Sequence, residues 1–110
     1  MVRLIINKLD TMYKGWFVGN FLPSVCSTQD FEIAVKHYNV GDYEKHHTHK
    51  IATEITVIIE GEAKMQEKKI SKSDIVTILP GEETDFYALT NVTTVVVKYP
   101  SIKDDKYLSE

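Results

Sequence analysis

The chain has 110 residues, 43% of them hydrophobic and 26% charged, which suits one globular domain with one modest core. The net charge of −3 excludes a broad basic surface for nucleic acid, and no apolar run approaches the roughly 20 residues that span a bilayer. The start lacks the long apolar core of a signal peptide and the single Cys26 has no internal disulfide partner, so a reduced, cytoplasmic protein is expected.

Val2 to Ile6 is a short apolar segment that reads as an edge strand. Trp16, Phe17 and Phe21 follow in an extended stretch bounded by Gly15 and Pro23. Large aromatics of this kind are core or subunit-interface side chains, or else the wall of a small-ligand site. Ser24 to Asp30 is a polar connector, and Cys26 within it is an inert small side chain.

Phe31 to Val40 alternates. Phe31, Ile33, Val35 and His37 share one face, and Glu32, Ala34, Lys36 and Tyr38 share the other, which predicts a strand with the first set buried. His37 then lies on the apolar side, as a hydrogen-bonded core or pocket histidine or as an acid, a base or an extra ligand.

The stretch from Gly41 to Gly61 carries the chemistry. His47 and His49 are two apart, so an extended chain points both to one face. Glu54 heads the β-branched run Ile55 to Ile59, a predicted strand. Two imidazoles and a carboxylate form the 2-His-1-carboxylate set of non-haem iron and of some catalytic zinc sites. His46 points away from the other two. The run from Thr53 to Glu60 is apolar on both faces, which calls for cover by two sheets or by a partner subunit.

Ala63 to Met65 begins a return strand and Glu67-Lys68-Lys69 reads as a charged turn. Ile75 to Leu79 is another strand, stopped by Pro80-Gly81. Asp85 to Asn91 leads into a last strong strand, Thr93 to Lys98. Pro100 to Glu110 reads as a frayed or surface-docked tail. No window has a strong helical period, so helix is expected to be scarce, and short strands with glycine and proline turns suggest a sandwich or small barrel.

Gly41, His47, His49, Glu54 and Gly61 together resemble the first sequence signature of the cupin family. The resemblance implies an all-β fold: a double-stranded β-helix, or jelly-roll, barrel of the RmlC-like type with an N-terminal extended segment. Residues 1–30 would pack on the barrel or on a partner subunit, 31–99 would form the barrel core, and 100–110 the tail. The family's second signature is poorly kept. Ser73, Leu79, Gly81 and Thr84 fall on its fixed positions, and only Gly81 matches. Thr84 stands where the family usually supplies a further metal-binding histidine. Asp85 is the neighbouring replacement, and only a β-bulge would turn it inward. A finer resemblance, carried by Gly15 to Phe21, His49 to Glu54 and Val97 to Ser101 with Asp105 to Tyr107, is to small single-domain cupins, some linked to carbohydrate or cell-surface metabolism.

The expected function is that of a mononuclear enzyme of oxygenase or isomerase type acting on a small polar, carbohydrate-related substrate. Its divalent iron, zinc, nickel or manganese would be held by His47, His49 and Glu54, with His37, Tyr43 and Tyr87 as catalytic or pocket groups. The alternative is a non-catalytic barrel that binds a small ligand such as a sugar, with the metal structural or absent. A homodimer is expected in either case, with neither nucleic acid nor membrane as partner.

Overall fold

β-Branched runs cut by glycine, proline and acidic turns become ten strands among the described residues: β1 (Trp16–Val18), β2 (Glu32–Tyr38), β3 (Tyr43–His49), β4 (Thr53–Glu60), β5 (Glu62–Met65), β6 (Lys68–Ser71), β7 (Ile75–Ile78), β8 (Glu83–Ala88), β9 (Val92–Tyr99) and β10 (Lys106–Leu108). The computed structural model describes residues 3–109. Two five-stranded sheets form, in the orders β1-β2-β9-β4-β7 and β10-β3-β8-β5-β6, with antiparallel strand pairs. From β2 onward the chain crosses between the sheets at almost every connection, which is the jelly-roll winding. The only helix among the described residues is a 3-10 turn, Leu9–Thr11.

Pairing sets the rows of side chains that face inward. In the first sheet Glu32, Lys98, Glu54 and Ile78 lie opposite one another on neighbouring strands, followed by Ala34, Val96, Thr56 and Val76, and then by Lys36, Thr94 and Ile58. The second sheet sets His47 opposite Thr84 and Glu44 opposite Phe86. The interior is thereby divided. Ile58, Ala63, Met65, Ile70, Ile78, Phe86, Ala88 and Val92 make an apolar core toward one end, against which Tyr38 and Val76 pack. Charged and imidazole side chains gather toward the other.

Two glycines fix the path. Gly61 (φ +93) turns β4 into β5, where a Cβ would strike the Asn91 carbonyl oxygen. Gly15 (φ +83) brings the segment before β1 against the Val35 backbone.

Several sequence expectations are corrected. Residues 3–6 form no strand, and Leu4, Ile5 and Ile6 are 77%, 78% and 79% exposed; no neighbouring edge pairs with them, and Val2 lies outside the described residues. The buried face of β2 is the other one. Ala34 is fully buried and Glu32, Lys36 and Tyr38 are partly buried beside it, whereas His37 is exposed. The β5–β6 turn falls at Gln66-Glu67, both with positive φ as in a two-residue hairpin, and Lys68 and Lys69 belong to β6. Glu83–Ala88 is a strand in its own right, and the tail docks as β10 on the edge of β3.

Candidate functional site

β3 brings the two histidines inward with the help of a bulge. Two residues separate Glu44 from His47, while only one separates their partners Phe86 and Thr84 on β8. The extra residue breaks the two-residue parity, so Glu44 joins the inward face of His47 and His49. His46 is left outside, with its ring nitrogens 2.8 Å from Glu83 Oε1 and 3.3 Å from Asp85 Oδ2.

His47 and His49 are each 4% exposed and their ring centroids are 5.1 Å apart. His47 donates from Nδ1 to the Lys45 carbonyl at 2.7 Å, which leaves the lone pair of the neutral ring on Nε2. His49 Nδ1 is buried without a hydrogen-bond partner in the protein. Burial lowers the pKa of both rings. The Lys106 charge adds to this at His47, and the Lys98 charge with His47 itself takes His49 down to about 4. Both are neutral at pH 7.

Glu54 enters from β4 into the same cavity, of about 490 Å³, whose walls include His47, His49, Trp16 and Phe21. Burial raises its pKa against the opposing pull of Lys98. Lys98 stands between Glu32 and Glu54 in the strand ladder, with Nζ 3.3 Å from Glu32 Oε1. Glu44 takes a hydrogen bond of 2.6 Å from Tyr38 Oη and one of 3.3 Å from Lys36 Nζ. Burial pushes the Glu44 carboxyl up, but Lys36 and Tyr38 outweigh it and the pKa is lowered. The Tyr38 phenol is driven well above its usual range, first by burial and then by the Glu44 charge.

The aromatic wall comes from the N-terminal segment. Trp16 and Phe21 meet edge to face at 6.5 Å, and the Lys98 and Lys36 ammonium groups lie 5.0 Å and 5.5 Å from the Trp16 ring centroid. In an adjoining pocket that it lines with His49 and Ala52, Asp105 accepts hydrogen bonds from the backbone N–H groups of Lys50, Ile51 and Ala52, the loop that joins His49 to Glu54.

The other sequence candidates are placed elsewhere. Thr84 is inward and 2% exposed, opposite His47, and its hydroxyl donates to the Asp85 carbonyl at 3.2 Å. The Asp85 side chain meets His46 and the Gln66 N–H outside the cavity. Tyr43 and Tyr87 are cross-strand neighbours, 50% and 43% exposed, and do not line the cavity. His37 is bonded to Thr93 Oγ1 at 3.0 Å and borders a separate groove between β2 and the N-terminal segment.

Among the described residues no three His, Cys, Asp or Glu side chains come together as a group able to hold a metal ion. The neutral His47 ring suits a ligand role, but Glu54 does not close on the imidazole pair, and the charges of Lys98 and Lys106 depress the pKa values of both histidines.

Sequence reasoning missed Glu32, Lys36, Glu44, Lys98, Lys106 and Asp105. The available signal was a lysine inside an apolar strand, as in Val95-Val96-Val97-Lys98, because a mid-strand charge needs a pocket or a partner.

No protein-family model and no curated protein matches this chain. Solved structures do. An uncharacterised conserved protein with a double-stranded β-helix domain from Klebsiella pneumoniae superposes with a TM-score of 0.69 at 22% identity, over 76% of this chain and 73% of that one. An RmlC-like cupin from Shewanella frigidimarina gives 0.64 at 15% identity, over 69% and 71%. Oxalate decarboxylase from Bacillus subtilis gives 0.65 at 15% identity, over 74% of this chain but only 24% of the larger enzyme. The fold is therefore the cupin double-stranded β-helix.

Proposed function

We propose that this chain is a cupin-fold barrel that binds a small polar ligand in the cavity between its sheets, over the imidazole pair and against Trp16. The observation that carries this reading is the cavity of about 490 Å³, lined at once by His47, His49, Glu54, Trp16 and Phe21. Its size is that of small-molecule sites, and an apolar wall with a few convergent polar groups is their usual make-up. In the neutral His47 ring Nδ1 is committed to the Lys45 carbonyl, so Nε2 offers such a ligand an acceptor, and His49, together with Glu54, whose pKa burial raises, supplies further polar groups.

The test is a screen of monosaccharides and their acids by NMR of ¹⁵N-labelled protein. Shifts gathered at the Trp16 indole, His49 and Glu54 are expected. Shifts confined to the outer groove beside His37, or none at all, would overturn the reading.

A second reading keeps a divalent iron, zinc, nickel or manganese ion on His47, His49 and Glu54. It is favoured by the Nδ1–H bond from His47 to Lys45, which leaves Nε2 free to ligate. It is also favoured by the Mn(II) centres of Bacillus subtilis oxalate decarboxylase, which shares the fold. Elemental analysis of untagged protein purified without chelator separates the two: near one equivalent of a transition metal, lost in His47→Ala and Glu54→Ala with the fold intact, selects the second. A homodimer also fits, because Val57, Val95 and the 66% exposed Ile75 form an apolar row on the outer side of the first sheet; a monomer by light scattering would dismiss it.

A further inference from the structure

We propose that the ligand of this cavity is an anion, a small molecule bearing a carboxylate, gripped by Lys98 and Lys106 with its body against Trp16. The inference rests on the small-ligand reading and names its substrate class.

Four lysines line the cavity, Lys14, Lys36, Lys98 and Lys106, and they come from four separate parts of the chain: the segment before β1, β2, β9 and β10. Convergence of that kind is not the by-product of one charged run. Three carboxylates, Glu32, Glu44 and Glu54, line it too. Two of the lysines are spoken for, Lys36 by Glu44 and Lys98 by Glu32, each at 3.3 Å. Lys14 and Lys106 have no ion-pair partner among the described residues. Even with Glu54 counted as a full negative charge, the four ammonium groups outnumber the three carboxylates. The cavity is thus left with an excess of ammonium groups that an anion would match.

The strand register places one of these lysines beside an imidazole and another beside Glu54. Lys106 pairs with His49 across the β10–β3 edge, and Lys98 pairs with Glu54 across β9–β4. His49, on β3 next to β10, lines the same cavity. Lys98 is also committed to the Trp16 face, so a carboxylate taken up by Lys98 arrives next to an aromatic surface. Ammonium groups are compact point charges with rotatable donors. The excess of one ammonium over the three carboxylates matches the single charge of one carboxylate group on a small, polar body.

The two parts of the proposal, charge and place, can be read in one titration. Trp16 is the only tryptophan, so its emission reports on the cavity. The probes are glucose, glucuronate and glucose 6-phosphate, followed by acetate and inorganic phosphate, all at constant ionic strength. Glucuronate and acetate are expected to change the emission and glucose is not. Raising sodium chloride should weaken the response, as screening of ammonium–carboxylate attraction requires. Lys106→Met, at an exposed position, should weaken glucuronate binding about tenfold, the size of one charge-assisted hydrogen bond, with an unchanged circular dichroism spectrum. Lys98→Met should weaken it at least as much; circular dichroism separates that loss from unfolding.

Glucose binding as well as glucuronate, or glucuronate binding unchanged in Lys106→Met and by salt, would overturn the anion proposal and leave the small-ligand reading standing. A stronger response to the two phosphates than to the two carboxylates would overturn the choice of carboxylate. No response to any probe, together with an empty NMR screen, would overturn both.

Discussion

Asp105 holds the loop on which the imidazole pair and Glu54 depend, and Asp105→Ala isolates that contribution. Its carboxylate accepts from Lys50 N at 3.1 Å, from Ile51 N at 3.2 and 3.1 Å, and from Ala52 N at 2.9 Å. The three donors are not equal. Lys50 and Ile51 are exposed and their amides turn to water when the carboxylate goes, at about 0.5 kcal/mol each. Ala52 is 3% exposed, so its N–H is stranded, and an unpaired buried donor costs about 1–3 kcal/mol. The expected loss is about 3 kcal/mol, and a domain of this size then melts about 10 °C or more lower. Urea denaturation at several pH values is the assay. Burial raises the Asp105 pKa, but the Ala52, Ile51 and Lys50 hydrogen bonds outweigh it and the folded value is depressed. The stabilisation is therefore complete above the unfolded pKa of about 3.9 and disappears as pH falls through the still lower folded value. Wild type and Asp105→Ala should run parallel from pH 5 to 8 and converge in acid. A difference below about 0.5 kcal/mol at pH 7, or one that grows in acid, would refute the reasoning.

Two other predictions follow from the same geometry. His49 in chelator-treated protein should show no ring titration near pH 6.5 by NMR, since burial, Lys98 and His47 hold its pKa at about 4. On its account the unfolded chain gains a proton first, so stability should fall as pH drops from about 6.5 and level off near 4; a His49 titration at 6.5 would contradict this. Gly15→Ala forces a side chain into the Val35 carbonyl at a positive φ and should cost about 2 kcal/mol or more with a red-shifted Trp16 emission, whereas unchanged urea curves would mean that the segment before β1 is free to move away.

Much of the architecture is legible in the sequence, because glycine and proline cut the chain into β-branched runs and those runs can only pair. The spacing of His47 and His49 placed both on one face, and the β3 pairing confirms it. Three features were not legible, each for a physical reason. The β2 face was misassigned because alternation identifies two faces but not which is inside. Here the interior at that end is a charged pocket, so Glu32, Lys36 and Tyr38 turn inward while His37, on the face with Ile33 and Val35, stays exposed. Glu44 was hidden by the bulge at Lys45-His46, since a one-residue insertion reverses parity without leaving a mark in composition. The tail was read as frayed or surface-docked, and its docking as β10 depends on an edge of β3 far away in sequence.

The lysines bear on the metal question as well as on the ligand. A dication on His47, His49 and Glu54 would stand among the same four ammonium groups that line the cavity. The Glu54 carboxylate would offset only one of its two charges. The positive excess would be larger with the ion bound than without it, and like charges at this depth repel more strongly than in water. A bound anion would relieve that repulsion. Both readings of the floor of the pocket therefore ask for the same kind of visitor. The wall built by Lys98, Lys106 and Trp16 is the more general statement about this protein than the identity of whatever the imidazoles hold.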